Sequence, residues 1–195
     1  MILCLVRLLK TEEFFGCFNI FGSRYFNVFF VAEIRFDFIS ESLRKRSVVG
    51  EIFVKYSPLG NNNLEDFLVR EGAEVHVPGL VDFCLYCVYN GIVDYKLYGR
   101  GRWSHCANWA AYRFLCKKKN DMCRAIASDG RFIPPTPFER TVQLCRNYIG
   151  IGTKMGEGWL LTAEMLELAE NGVKNIVCTQ PFGCLPNHIC GKGMM

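Results

Sequence analysis

No stretch of this chain of 195 residues runs for membrane-spanning length without charged side chains, so a transmembrane helix is not expected. A secretory leader is also missing from the expected picture. Met1-Ile2-Leu3-Cys4-Leu5-Val6 meets Arg7, Lys10, Glu12 and Glu13 too soon for an apolar signal core. Charge of one sign is scarce: the balance is +4, the basic residues read as dispersed, and no recognition motif accompanies them, which argues against nucleic acid as a partner. The one compact basic cluster, Arg44-Lys45-Arg46, is expected to be a solvated boundary before a strand.

Phosphate-binding fingerprints are lacking too. The glycine-rich residues 150–158 have neither the order of a P-loop nor the spacing of a dinucleotide fingerprint. They are expected to form a flexible segment beside a ligand pocket, with Glu157 near a helix start where a carboxylate complements the dipole. Cys84 and Cys87 stand at Cys-x-x-Cys separation, but in an apolar helical run, and no second pair lies at zinc-ribbon distance. Each of these thiols is expected to face the core.

Cysteine itself is abundant. Eleven of them, without a secretory signal, predict a reducing cytoplasm in which thiols serve metal, cluster or redox chemistry rather than a disulfide framework. Histidine is not: of three, His76 alternates with Val75 and Val77 and is expected at a sheet edge or in water, His105 lies in an irregular stretch, and His188 is positioned to polarise a bound group.

Residues 1–47 are crowded with aromatics, from Phe14 and Phe15 to Phe36 and Phe38, and show neither a helical period nor strand alternation. Residues 48–195 read as a regular α/β region. Residues 48–54 are β-rich, 57–63 form a loop, Leu64, Phe67 and Leu68 recur at helical spacing, and residues 73–77 form a second strand. That is a βαβ unit of a parallel sheet. Helical patterns cover 109–126, 138–148 and 159–170, and a final strand covers 173–178. The chain stops where another helix is expected to begin, which predicts a truncated, C-terminally incomplete α/β region.

Glu51 is expected either at the exposed end of the first strand or poised toward a site. Asn61, Asn62 and Asn63 precede a helix, and are read either as a turn with an amino-cap or as amide donors to an anion. The most informative stretch is Gln180-Pro181-Phe182-Gly183-Cys184-Leu185-Pro186-Asn187-His188. A strand that breaks into two prolines, a glycine and a central cysteine presents a thiol on a rigid turn at a strand's carboxyl end. Open α/β folds keep their chemistry there.

These motifs resemble those of the 2-hydroxyacyl-CoA dehydratase component family, in particular the dehydratase-like region of CoA-substrate-specific enzyme activase-related proteins. The resemblance rests on residues 49–58 with Asn61 to Asn63, on Glu71-Gly72-Ala73-Glu74-Val75, on Gly152-Thr153-Lys154-Met155-Gly156-Glu157-Gly158-Trp159, and on residues 179–188. It implies a Rossmann-like assembly and a four-iron, four-sulfur cluster held by cysteines of more than one subdomain. It implies Cys184 as a cluster ligand, with Cys87, Cys84 and Cys178 as further candidates, and Glu51, Asn61, Glu157 and His188 as candidates to line a substrate pocket. An ATP-hydrolysing activator and an acyl-CoA are the implied partners. The competing reading is a non-catalytic α/β interaction or scaffold domain without a cluster.

Overall fold

The computed structural model describes residues 2–7, 44–99 and 101–195. The aromatic run from Phe14 to Phe38, for which the sequence pattern assigns neither helix nor strand, lies outside the described residues. The described residues form a mixed α/β structure that divides into two compact units, residues 1–78 with 155–195 and residues 79–154.

The first unit is built on a four-stranded sheet in the order β1-β4-β2-β3. Its strands are β1 (Ile2–Arg7), β2 (Arg44–Gly50), β3 (Ala73–His76) and β4 (Asn175–Gln180). β4, β2 and β3 run parallel, and β1 pairs antiparallel with β4 from Ile2 opposite Gln180 to Arg7 opposite Asn175. β1 was not expected from the sequence, and it joins the sheet of the α/β region. The sequence boundary at 47/48 falls inside β2.

β4 has a neighbour on each side and is buried from Ile176 to Gln180, which is why its run Ile176-Val177-Cys178 is apolar without alternation. β3, at the edge, leaves His76 exposed, as expected. Arg44-Lys45-Arg46 opens β2 rather than preceding it, and Arg46 is only 6% exposed, so the cluster is not simply a solvated boundary.

The β-rich run 48–54 does not continue as a strand. Gly50, with φ 131°, ends β2, and Glu51 opens a short helix, α1 (Ile52–Tyr56). α2 (Pro58–Asn61) and α3 (Leu64–Arg70) follow, and α3 returns the chain to β3. Leu64 and Leu68 of α3 pack with Val48, Ala73 and Val177, placing one core layer between α3 and the parallel strands. α7 (Gly158–Glu170) is buried continuously from Gly158 to Met165, with Trp159 and Leu161 fully enclosed. α8 (Leu185–Cys190) and a short 3-10 turn, Lys192–Met194, follow β4.

The second unit is helical: α4 (Leu80–Tyr98), α5 (Arg102–Asp129) and α6 (Phe138–Cys145). α4 and α5 pack as a pair tied by a buried Lys119–Asp82 ion pair. His105 lies in α5, not in an irregular stretch, and its ring stacks on Tyr95 at 4.2 Å between centroids. Among the described residues no helix is long and apolar enough to cross a membrane.

Candidate functional site at the ends of two parallel strands

After β2 the chain moves to one side, to β3, and then returns to the other side of β2 as β4. The direction of winding therefore reverses between β2 and β4, and the crevice beyond their carboxyl ends is where open α/β sheets bind ligands. The two strand ends are held together tightly. A Cβ on Gly50 would sit 1.8 Å from the Thr179 carbonyl oxygen, so only glycine permits this approach, and the Glu51 amide donates to that same oxygen at 2.9 Å.

From the end of β4 the chain turns through Pro181-Phe182-Gly183-Cys184, closed by the Cys184 amide donating to Pro181 O at 3.3 Å. Gly183 has φ 77°, the left-handed conformation required at the third position of a type II turn. Cys184 then caps α8 through its carbonyl, which accepts from the His188 amide at 3.0 Å. Its thiol is half-buried on this turn. The sequence expectation of a cysteine at a strand's carboxyl end, bounded by Pro181 and Pro186, is met.

The carboxylates have a different task from the one expected. Glu51 Oε2 accepts from the Val54 amide at 2.8 Å, and Glu157 Oε1 accepts from the Ile52 amide at 2.9 Å. Both therefore satisfy free N–H groups at the start of α1. Glu157 is buried and makes no side-chain cap bond to α7, the helix it precedes. Within residues 150–158, Lys154 and Gly156 also have close neighbours. Lys154 pairs with Asp94, its carbonyl accepts from Tyr86 Oη at 2.8 Å, and a Cβ on Gly156 would contact Pro186.

Asn61 is likewise a turn residue. It is buried, its amide donates to Lys55 O at 3.2 Å, and its Oδ1 accepts from the Leu64 amide at 3.1 Å. Asn62 and Asn63 adopt φ of 57° and 53°, a conformation asparagine tolerates, and Asn63 makes no side-chain cap bond. The cap is supplied by Asn61 instead.

His188 is the fourth residue of α8, and its Nδ1 lies 3.4 Å from Gln180 Nε2. Gln180 and Asn187, both fully buried, keep unused hydrogen-bonding capacity. Gln180 Oε1 and both amide atoms of Asn187 have no hydrogen-bond partner among the described residues. Such groups are uncommon in folded proteins. The sequence reading passed over them, although two amides beside the thiol turn were the available signal.

Beneath the strand ends lies a second feature not foreseen. Lys55 Nζ stands 3.2 and 3.3 Å from the two carboxylate oxygens of Glu164, with both side chains about 95% enclosed (4% and 5% exposed). A lysine after Ile-Phe-Val and a glutamate in the middle of the apolar α7 were the signal that would have found it.

The remaining cysteine candidates are dispersed. Cys178 is fully buried in β4, and a Cβ on Gly191 would lie 3.0 Å from its sulfur. Cys84 and Cys87 belong to α4, in the helical unit, and both are exposed, contrary to the expectation that they face the core. Among the described residues no three histidine, cysteine or acidic side chains come together in a group able to hold a metal ion. A four-iron cluster needs about four protein ligands, so the described residues do not by themselves form a complete set.

No family model matches the chain, and no significant match is found among curated proteins or among solved structures.

Proposed function

We propose that this chain is an α/β component of a 2-hydroxyacyl-CoA dehydratase or activase-type system, in which Cys184 supplies one thiolate to an iron–sulfur cluster completed by ligands beyond the described residues. What supports this reading most is the half-buried thiol on a glycine-dependent turn at the winding reversal of a parallel sheet. The motif resemblance in residues 152–159 and 179–188 converges on the same strand ends. In this reading the sheet is the core of a Rossmann-like domain, the compartment is a reducing cytoplasm, and an ATP-hydrolysing activator and an acyl-CoA are the partners.

The cluster, when bound, would supply one-electron reduction of the acyl thioester. The chain's own residues hold the turn. Glu51, Glu157 and Asn61 fix α1 to α3, and so fix the end of β2; Gly50 sets how close β4 approaches it. Partial enclosure of the sulfur limits solvent access, one of the levers on a cluster's potential.

The competing reading is a scaffold domain without a cluster. Anaerobic reconstitution of the chain with iron and sulfide, alone and with the candidate partner subunit, separates the two. Brown protein with stoichiometric iron, lost in Cys184→Ala but retained in Cys84→Ala, supports the cluster. Iron-free protein under both conditions sinks it.

A further inference from the structure

The helical unit carries a charge that the whole chain conceals. Residues 79–154 contain twelve Lys and Arg against five Asp and Glu, a balance of +7, while the rest of the chain has eleven against fourteen. The basic residues that read as dispersed are in fact concentrated in one unit. On α5 they form a stripe: Trp109, Arg113, Lys117, Asn120 and Arg124 recur at intervals of three or four residues and so share one helix face.

Together with Tyr112 of the same helix and Glu139 of α6, those residues line an open groove of about 350 Å³. Arg113, Lys117 and Arg124 are exposed along its length, Arg113 to Arg124 rising about 16 Å. Trp109 is 45% exposed at one end, with the Arg113 guanidinium 5.8 Å from its ring centre. Arg124 makes a long surface pairing with Asp121, at 3.6 Å. Glu139 accepts from Tyr112 Oη at 3.4 Å and is the one carboxylate lining the groove among the described residues.

We infer that this groove binds a nucleotide-type phosphate ester. Arg113, Lys117 and Arg124 take the phosphates, Trp109 stacks against the base, and Glu139 accepts from a ribose hydroxyl or an exocyclic amine. Guanidinium groups match phosphate oxygens bidentately, and an exposed indole accepts any flat base. An acidic peptide would use the cations but would meet Glu139 and leave Trp109 without a role. A bare polyphosphate would leave both unused. The binding chemistry is common to a free nucleotide and to the 3′-phosphoadenosine diphosphate end of coenzyme A. It does not depend on Cys184, so a result on iron content leaves it standing or falling on its own.

The test is titration of the intact chain with ATP, coenzyme A, inorganic tripolyphosphate and polyglutamate, followed by calorimetry and tryptophan fluorescence. ATP, coenzyme A or both are expected to bind and to change the emission, with the fluorescence response lost in Trp109→Phe. Arg113→Ser/Arg124→Ser, two exposed positions, is expected to weaken binding at least about tenfold with an unchanged circular dichroism spectrum. Binding of only one of the two ligands identifies the source. The inference is overturned if neither ATP nor coenzyme A binds, if the double variant binds as the parent does, or if tripolyphosphate or polyglutamate binds as tightly as the nucleotides.

Discussion

Glu157 gives its carboxylate to a helix other than its own. Its partner, the Ile52 amide, lies 105 residues earlier in the chain, so no local pattern could announce the contact. Removing the acceptor leaves a partly buried N–H without a partner, which costs about 1–3 kcal/mol. Glu157→Ala should lower stability by that amount in urea melts, whereas Glu157→Gln, which keeps a carbonyl acceptor, should lose less. An equal loss in both variants would show that charge rather than hydrogen bonding matters there. Cys184 reads differently, because its turn is local: Gly183, Pro181 and Pro186 stand within three residues of it, and the sequence located it correctly.

Among the elements, α1 and α7 show how a charged pair can be hidden in apolar sequence. The Lys55–Glu164 contact is nearly sealed from water. Breaking the pair from one side, in Lys55→Met or Glu164→Leu, should cost about 3–5 kcal/mol. The double replacement Lys55→Met/Glu164→Leu should recover most of that loss, because no charge is then left buried alone. Thermal denaturation of the three variants provides the check, and a double variant no better than the singles would refute the account. α1 is also where the sequence reading failed. Val-Val-Gly-Glu-Ile-Phe-Val is rich in strand formers, but a glycine at positive φ followed by a glutamate that caps its own helix at Val54 converts its second half to α.

For the molecule as a whole, buried thiols set a stability limit on the alkaline side. Burial raises the Cys116 thiol from 9.0 to about 11, the largest contribution, and burial also raises Cys190. An acid whose folded pKa lies above its unfolded one loses its proton first in the unfolded chain. Its contribution is therefore complete below about pH 9 and is lost as the pH rises toward 11. The denaturation midpoint should fall across that window, and less steeply in Cys116→Ala. A midpoint insensitive to this substitution would place Cys116 in contact with solvent. The charge division between the two units belongs to this scale as well, since a total of +4 gives no hint of a helical unit at +7.

The long helix α5 opens at Arg102, ahead of the 109–126 pattern, but β3, α6, α7 and β4 were legible because turn formers and hydrophobic periods act over a few residues. The same holds for the thiol turn after β4. The tertiary structure decided what the polar residues do. Glu51, Glu157 and Asn61 carry the residue types of a binding pocket, and the fold uses all three to satisfy backbone groups around α1. It also decided that Cys84 and Cys87 face outward and that the basic residues of α5 share a groove. Helix facing, cross-chain caps and buried ion pairs depend on which distant surfaces meet, and that is fixed by packing rather than by neighbours in sequence.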